Sequence, residues 1–442
     1  MTFKRKAYNQ FLEWKNNSRG KTALMVEGAR RVGKSTLVTE FVQKEYEDFL
    51  FLDFAKEDDD VKENFKQNIG KLDVFFRTLF LAKGKELKPN RNTVIVFDEV
   101  QLFPLARQAI KYLVADGRYD YIETGSLISI KKNKEKILIP SEEFKIKMYP
   151  MDFEEFLIAN NFGSDAINYV RESYENKTSL NESLHNTLLN LFLTYLYVGG
   201  LPDAVKSYVE EKNVFKIKEI QKDIYDFYSD DAAKYDLESR LKIKRIYEMM
   251  ISSIDNKVKR IKYSDINDNK KDCFSNYAEE FDYLINSGIA LACNAVSEPK
   301  FPLAQSSVKN LIKLYMNDVG LLSYLLYRNN INAILKSKTG VNLGAIYETV
   351  VSQELKAHGH DLFYYDRRKV GEVDFLVNDY DNLSILPLEI KSGKEGYEYR
   401  ALPKLVEDKN YRIKQGYVLS NDREVLVKDK IVHLPIYYIM FV

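Results

Sequence analysis

The chain has 442 residues, room for about three domains at ~150 residues each. Lys and Arg number 66 against 65 Asp and Glu, a formal net charge of +1. That excludes a uniformly basic nucleic-acid binder but not a basic patch on one face. An apolar share of 45% and a charged share of 30% fit a globular chain with a full core and exclude a disordered one. Cys273 and Cys293 cannot build a disulfide framework and form no CxxC pair. Both read as core thiols in a reducing compartment.

No run of about 18 uncharged apolar residues is present, so no membrane span is expected. The opening MTFKRKAYNQFLEWKNN has positive charge but no apolar stretch of the kind a signal peptide needs, which points to the cytoplasm. Phe3, Ala7, Phe11 and Trp14 recur there at helical spacing and predict a short amphipathic helix.

Strands and helices then alternate. TALMVEG (22–28), FLFLDF (49–54), NTVIVFDE (92–99) and YDYIETGS (119–126) read as strands, and FKIKMYP (144–150) as a fifth. KSTLVTEFVQKEY, 60–83 and 104–115 read as helices. This order predicts an α/β fold with a parallel sheet covered on both faces.

The first strand runs into GARRVGKS, the full GxxxxGK[ST] pattern between a strand and a helix. Gly28 and Gly33 allow backbone N–H groups to turn inward around phosphates. The loop Gly28, Ala29, Arg30, Arg31, Val32, Gly33, Lys34, Ser35 and Thr36 is thus the candidate ATP site. Lys34 would reach the β- and γ-phosphates, and Ser35 would offer its hydroxyl to Mg²⁺. Asp98 ends a buried strand, where ligands bind in open α/β sheets, and is the second candidate for holding Mg²⁺. Glu99 is the candidate catalytic residue, placed to polarise the attacking water. Thr124 and Ser126, at the end of the next strand, are candidate γ-phosphate sensors, or simply a strand-to-loop turn.

GARRVGKS, FDEVQ, ETGS and MYPMDFEEFL, in that order, resemble the AAA-type ATPases of prokaryotes that carry a conserved C-terminal domain of unknown function. YVGGLPDAV, LYMNDVGLL, GAIYE, EVDFLV and PLEIKSGK extend the resemblance over almost the whole chain. It implies a P-loop AAA-type ATPase core with an additional strand, a helical plus winged-helix middle, and a restriction-endonuclease-like α/β end. The expected domains are 1–160, 161–335 and 336–442. ILIPSEEFKIKMYP contains no Arg where some relatives have one, so no arginine finger is assigned.

Residues 165–254 carry long helical periodicity, interrupted by Gly199, Gly200 and Pro202 in YVGGLPDAV, either a lid over the nucleotide or an interhelical turn. Residues 241–320 resemble a winged helix: LKIKRIYEMMISSI, YSDIN and CFSNYAEEFDYLINSG as helices, IALACNAV and NLIKLYMND as wing strands. The would-be recognition helix carries Glu279, Glu280 and Asp282 and no Lys or Arg, poor for phosphate contacts. KIKR (242–245) and KVKRIK (257–262) lie nearby. DNA and a protein are the two candidate partners of this segment.

In the last hundred residues, NLGAIYETVVSQELKAHG (342–359) reads as an amphipathic helix, and LFYYDRR, EVDFLV, ILPLEIKS and GYVLS as strands, with a polar helix at 398–410. The terminal IVHLPIYYIMFV reads as a final buried strand. Asp374 followed by Glu389 and Lys391 as E-x-K, with Glu348 on the preceding helix, forms a candidate nuclease metal site of the PD-(D/E)XK type. Two acids would hold Mg²⁺ and the Lys would assist the nucleophilic water. Thr349 stands where many relatives have Asn. His185, His358, His360 and His433 show no ligand spacing. Three readings share the ATPase core: an ATP-hydrolysing switch coupling hydrolysis to conformational change, an ATP-regulated Mg-dependent DNA nuclease, and a nucleotide-gated scaffold with a degenerate nuclease domain.

Overall fold

The computed structural model describes residues 2–126, 140–231, 237–254, 260–267, 269–328, 330, 332–335, 343–392 and 399–442. The chain divides into two compact units. One is Met1–Tyr149 with Asn286–Gly288, and the other is Pro150–Ile285 with Ile289–Val442.

The first unit is built on a five-stranded sheet of β1 (Ala23–Gly28), β2 (Asp48–Asp53), β3 (Thr93–Asp98), β4 (Asp120–Gly125) and β5 (Glu143–Met148), in the order β2-β3-β4-β1-β5. All four pairings are parallel. Every residue of β1, β3 and β4 is buried, as a sheet covered on both faces requires. Parallel pairing brings the carboxyl ends of β1, β3 and β4 together at one edge, the place where ligands bind in such sheets.

Helix α1 (Lys6–Asn17) buries Phe11 and Trp14, and α2 (Lys34–Glu45) buries Leu37, Val38, Phe41 and Val42. The expected single helix at 60–83 is instead two, α3 (Asp59–Asn68) and α4 (Leu72–Lys83). Gly70 lies in the break, and the two helices fold back so that the Phe65 and Phe75 rings meet edge-on at 4.9 Å. Helix α5 (Pro104–Asp116) completes this unit with Ala106, Ile110 and Leu113 inward.

The second unit carries helices at Phe153–Ala159, Ser164–Glu175, Glu182–Val198, Pro202–Glu211, Val214–Asp231 and Leu237–Ile254. Its sheet contains β6 (Ala290–Val296), β7 (Ser307–Met316), β8 (Leu362–Arg367), β9 (Gly371–Asp379), β10 (Ser384–Ile390), β11 (Gly416–Ser420), β12 (Leu426–Lys428) and β13 (Ile431–Pro435). The order is β12-β13-β11-β10-β9-β8-β6-β7.

Four features depart from the sequence reading. The strands read as a wing, β6 and β7, do form an antiparallel pair, but β6 also pairs in parallel with β8. They are therefore one end of the same sheet as the C-terminal strands. The helix Gly344–Ala357, expected to be amphipathic, is buried without interruption from Ala345 to Leu355. Beyond β13 the chain is not strand but a 3-10 turn, Ile436–Phe441, because Pro435 has no N–H to extend the ladder. Cys293 is buried as expected. Cys273 is exposed, its thiol turned toward Ser275 and Asn276 at the start of a short 3-10 turn.

Candidate functional site

The loop between β1 and α2 takes its shape from its glycines. Gly33 adopts φ 92°, ψ 19°, a left-handed conformation that disfavours side chains. A Cβ on Gly28 would stand 2.2 Å from the Met148 carbonyl oxygen of β5. Behind the loop, Arg5 donates to the carbonyls of Val32 at 2.9 Å and Tyr149 at 2.7 Å. The sequence reading missed this buttress, since an Arg near a terminus carries no motif.

Lys34 is buried, and its ammonium donates to the carbonyls of Gly28 at 3.1 Å and Ala29 at 2.9 Å. Burial lowers its pKa to about 8, while Glu99 and Asp98 oppose that shift. The Ser35 hydroxyl donates to Asp98 Oδ1 at 2.9 Å. Thr124 also donates its hydroxyl to Asp98 Oδ1. Ser35, Asp98 and Thr124 thus meet at the ends of three adjoining elements. Glu99 lies just beyond β3 in a left-handed conformation, φ 55°, ψ 44°. Its carboxylate accepts from the Gln101 side-chain amide and stands 3.7 Å from the Arg30 guanidinium. The Gln101 carbonyl in turn accepts from the Ser126 backbone N–H at 3.3 Å. Gln101 is the residue the sequence reading passed over, although it sits within the FDEVQ motif. Of the two expected sensors, Thr124 touches Asp98 through its side chain and Ser126 touches Gln101 through its backbone.

The opposite side of β4 and β1 holds a second polar group. Arg107 of α5 makes a two-pronged pair with Glu143 at 2.6 and 2.7 Å. Glu123 is fully buried, and neither carboxyl oxygen has a hydrogen-bond partner among the described residues. Burial raises its pKa well above the usual carboxylate range, with Glu143 adding to the shift.

In the second unit, Gly199 and Gly200 join helices Glu182–Val198 and Pro202–Glu211. The Gly200 N–H donates to Asp318 Oδ2 at 2.6 Å, and the Met151 N–H donates to the Gly200 carbonyl at 2.7 Å. Tyr195 donates to the Met151 carbonyl at 2.6 Å and to Glu354 at 3.1 Å, and Gln353 accepts from the Val319 N–H at 2.9 Å. Met151, the Gly199–Gly200 turn, Asp318–Val319 and helix Gly344–Ala357, through Gln353 and Glu354, thus meet in one buried polar junction. Asp318 is completely buried there, and burial pushes its pKa up to about 6 against the pull of the backbone N–H groups it accepts from.

The candidate nuclease residues are brought together in part. Leu388 pairs with Phe375, so Glu389 and Asp374 come next on the ladder, opposite one another on one face. Lys391 donates to Glu389 Oε1 at 2.7 Å. Asp374 Oδ2 accepts from the Ile390 N–H at 2.8 Å. Burial, and then the Asp374 charge, push the Glu389 pKa up to about 8. Glu348 accepts from the Tyr315 hydroxyl at 3.0 Å. Among the described residues, no group of three or more His, Cys, Asp or Glu side chains is arranged to hold a metal ion. Lys313 of β7, unnoticed in the sequence because it reads as an ordinary alternating position, pairs with Glu372 beside these acids. Of the basic run 257–262, Lys257 and Lys259 lie outside the described residues, and Arg260 is bound to Asp366 at 3.0 Å. No described helix is long and apolar enough to cross a membrane.

One family-model match agrees with the geometry of the first unit. Residues 20–157 match the family model described as AAA domain. Residues 189–332 and 343–439 match two models described as domains of unknown function, DUF8612 and DUF4143. The uncharacterized protein MJ1544 of Methanocaldococcus jannaschii is 24% identical over 396 residues, covering 87% of this chain and 78% of the relative. Among solved structures, the Walker-type ATPase PABY2304 of Pyrococcus abyssi aligns with a TM-score of 0.43 and 15% identity, covering 73% of this chain and 96% of that one. The Aeropyrum pernix ORC1 protein, solved in complex with DNA, aligns with a TM-score of 0.30 and 11% identity, covering 73% and 93%. The AAA-domain match and the loop geometry together support a P-loop AAA-type ATPase.

Proposed function

We propose that the chain is an ATP-hydrolysing switch of the AAA type that couples hydrolysis to conformational change. The observation that carries this reading is the meeting of Ser35, Asp98 and Thr124, with Lys34 and Glu99 beside them, at the carboxyl ends of β1, β3 and β4. Gly28 to Thr36 would wrap the phosphates, whose oxygens would take over the Lys34 ammonium from the Gly28 and Ala29 carbonyls. Ser35 and Asp98 are oxygen donors that suit a hard cation. They would hold Mg²⁺, which supplies charge neutralisation to the phosphates.

Glu99 orients water and accepts its proton as the water oxygen bonds to the γ-phosphorus and the bond to the β-phosphate oxygen breaks, leaving ADP and phosphate. Thr124 and Ser126 sense the γ-phosphate, the first through Asp98 and the second through Gln101. The proposed modules are 1–160 for ATP, 161–335 for the helical and winged-helix segment, and 336–442 for a restriction-endonuclease-like fold. The compartment we propose is the cytoplasm.

A second reading, a nucleotide-gated scaffold whose C-terminal domain binds a partner, is favoured by Lys313 among the candidate nuclease acids. A protein is the preferred partner over DNA, because Glu279, Glu280 and Asp282 make the helix Ala278–Asn286 acidic. The test is phosphate release from ATP and Mg²⁺ by the full chain, compared with Glu99→Gln. Absence of phosphate release by the wild type overturns the hydrolysis reading, and turnover that survives Glu99→Gln at the wild-type rate removes Glu99 from the catalytic role.

A further inference from the structure

The acids of the C-terminal sheet surround a lysine. Lys313 lies in β7 and is 1% exposed. Its ammonium pairs with Glu372 of β9 and sits 4.4 Å from the centre of the Tyr364 ring. Glu348 and Asp374 are its next anionic neighbours. A buried ammonium is costly unless carboxylates and hydrogen bonds compensate it, and these groups are the compensation.

The same carboxyl groups are the ones a divalent cation would need, and each already has a donor within the chain. Glu348 accepts from Tyr315, Asp374 from the Ile390 N–H, Glu389 from Lys391 and Glu372 from Lys313. Among the described residues, Glu389 Oε2 is a buried oxygen of this set for which no hydrogen-bond partner stands in place. A divalent cation would therefore compete at each of these carboxylates with a proton donor already in place, among them the ammonium groups of Lys313 and Lys391. An ammonium fixed among the acids also repels a second cation, and does so strongly where water is excluded. The donor set does not fit a divalent metal.

We propose that Lys313 is the resident counter-cation of this acid set, so that the sheet balances its carboxylates with an internal ammonium and takes no divalent cation there. Lys313 ties β7 to β9 across the sheet. The acids that resemble a nuclease signature then serve as the anchor of that tie. The inference concerns the second unit alone and does not depend on the nucleotide reading.

Two measurements on the nucleotide-free full chain test it, and neither reads ATP hydrolysis. Mn²⁺ is titrated into the wild type and into Asp374→Asn, with bound metal followed by electron paramagnetic resonance. The expected result is no saturable binding that Asp374→Asn removes. Saturable binding in the wild type that is lost in Asp374→Asn overturns the proposal. The second measurement compares urea midpoints of Lys313→Met, Glu372→Gln and the double variant. Removing Glu372 is expected to restore part of the loss caused by Lys313→Met, because it removes a carboxylate left without its ammonium. Losses that simply add overturn the proposal. Should Lys313→Met not fold, recovery of a folded double variant is the same rescue, and the Mn²⁺ titration stands without either variant.

Discussion

The Gln101 side chain bridges Glu99 and Ser126: its amide nitrogen donates to the Glu99 carboxylate and its carbonyl oxygen accepts from the Ser126 N–H at 3.3 Å. The bridge leaves Gln101 in control of where the Glu99 carboxylate points. Glu99→Gln keeps the shape but lacks a base, so hydrolysis should fall by about 10²–10⁴ with ATP still bound. Gln101→Leu should lower kcat by about tenfold and leave the KM for ATP near wild type, since a positioning residue affects the chemical step. Steady-state phosphate release measures both. A Gln101→Leu effect confined to KM would assign the residue to binding.

Lys34 should be the principal charge felt by the phosphates. Charge-assisted hydrogen bonds contribute about 2–3 kcal/mol, so Lys34→Ala should weaken ATP binding by roughly a hundredfold. Calorimetry with ATP and Mg²⁺ checks this, and an unchanged affinity sinks the phosphate-loop reading.

Much of this site is legible in the sequence. GARRVGKS and FDEV fix residue types by chemistry, and uninterrupted apolar runs mark β1 and β3 as central strands. What stays hidden is tertiary. The pairing of β6 with β8 joins residues about seventy positions apart, and no local pattern announces it. Lys313 alternates with apolar neighbours as any half-exposed strand residue does, yet it lies buried beneath Glu348 and Glu372. The uniform burial of Ala345–Leu355 is equally invisible, because Glu348, Gln353 and Glu354 look like a solvent face until their partners fold over them.

Glu123 gives a pH signature. Its carboxyl is raised in the folded state, so between the unfolded value near 4.5 and the higher folded value the native state binds more protons. This contribution is fully present below the unfolded pKa and is lost as pH rises through the folded one. Arg107 and Lys145 oppose the shift, while Glu143 and Glu27 reinforce it. Glu123→Gln cannot ionise, so its stability relative to wild type should improve as pH rises from 5 to 8, by at most about 1.4 kcal/mol per pH unit. Urea denaturation at a series of pH values measures it. A difference that stays constant with pH would show that Glu123 does not titrate on unfolding.

Gly200 should tolerate no side chain. A Cβ there would stand 2.0 Å from the Met151 carbonyl oxygen and 2.8 Å from its nitrogen. Both obstacles are backbone, held by the Met151 N–H bond to the Gly200 carbonyl and by Tyr195 on the Met151 carbonyl. No rotamer change relieves the clash, so the junction must open. Gly200→Ala should therefore cost about 3 kcal/mol, at or above the upper range for overpacking. Asp318→Asn is the milder probe. It keeps the shape and one acceptor oxygen, but Gly200 and Leu321 both donate to the carboxylate. Loss of a charged acceptor there should cost about 1–3 kcal/mol. The order of urea midpoints should be wild type, Asp318→Asn, then Gly200→Ala. A Gly200→Ala midpoint equal to wild type would mean that the Met151–Gly200 contact is not close in solution, and the buried junction would lose its central link.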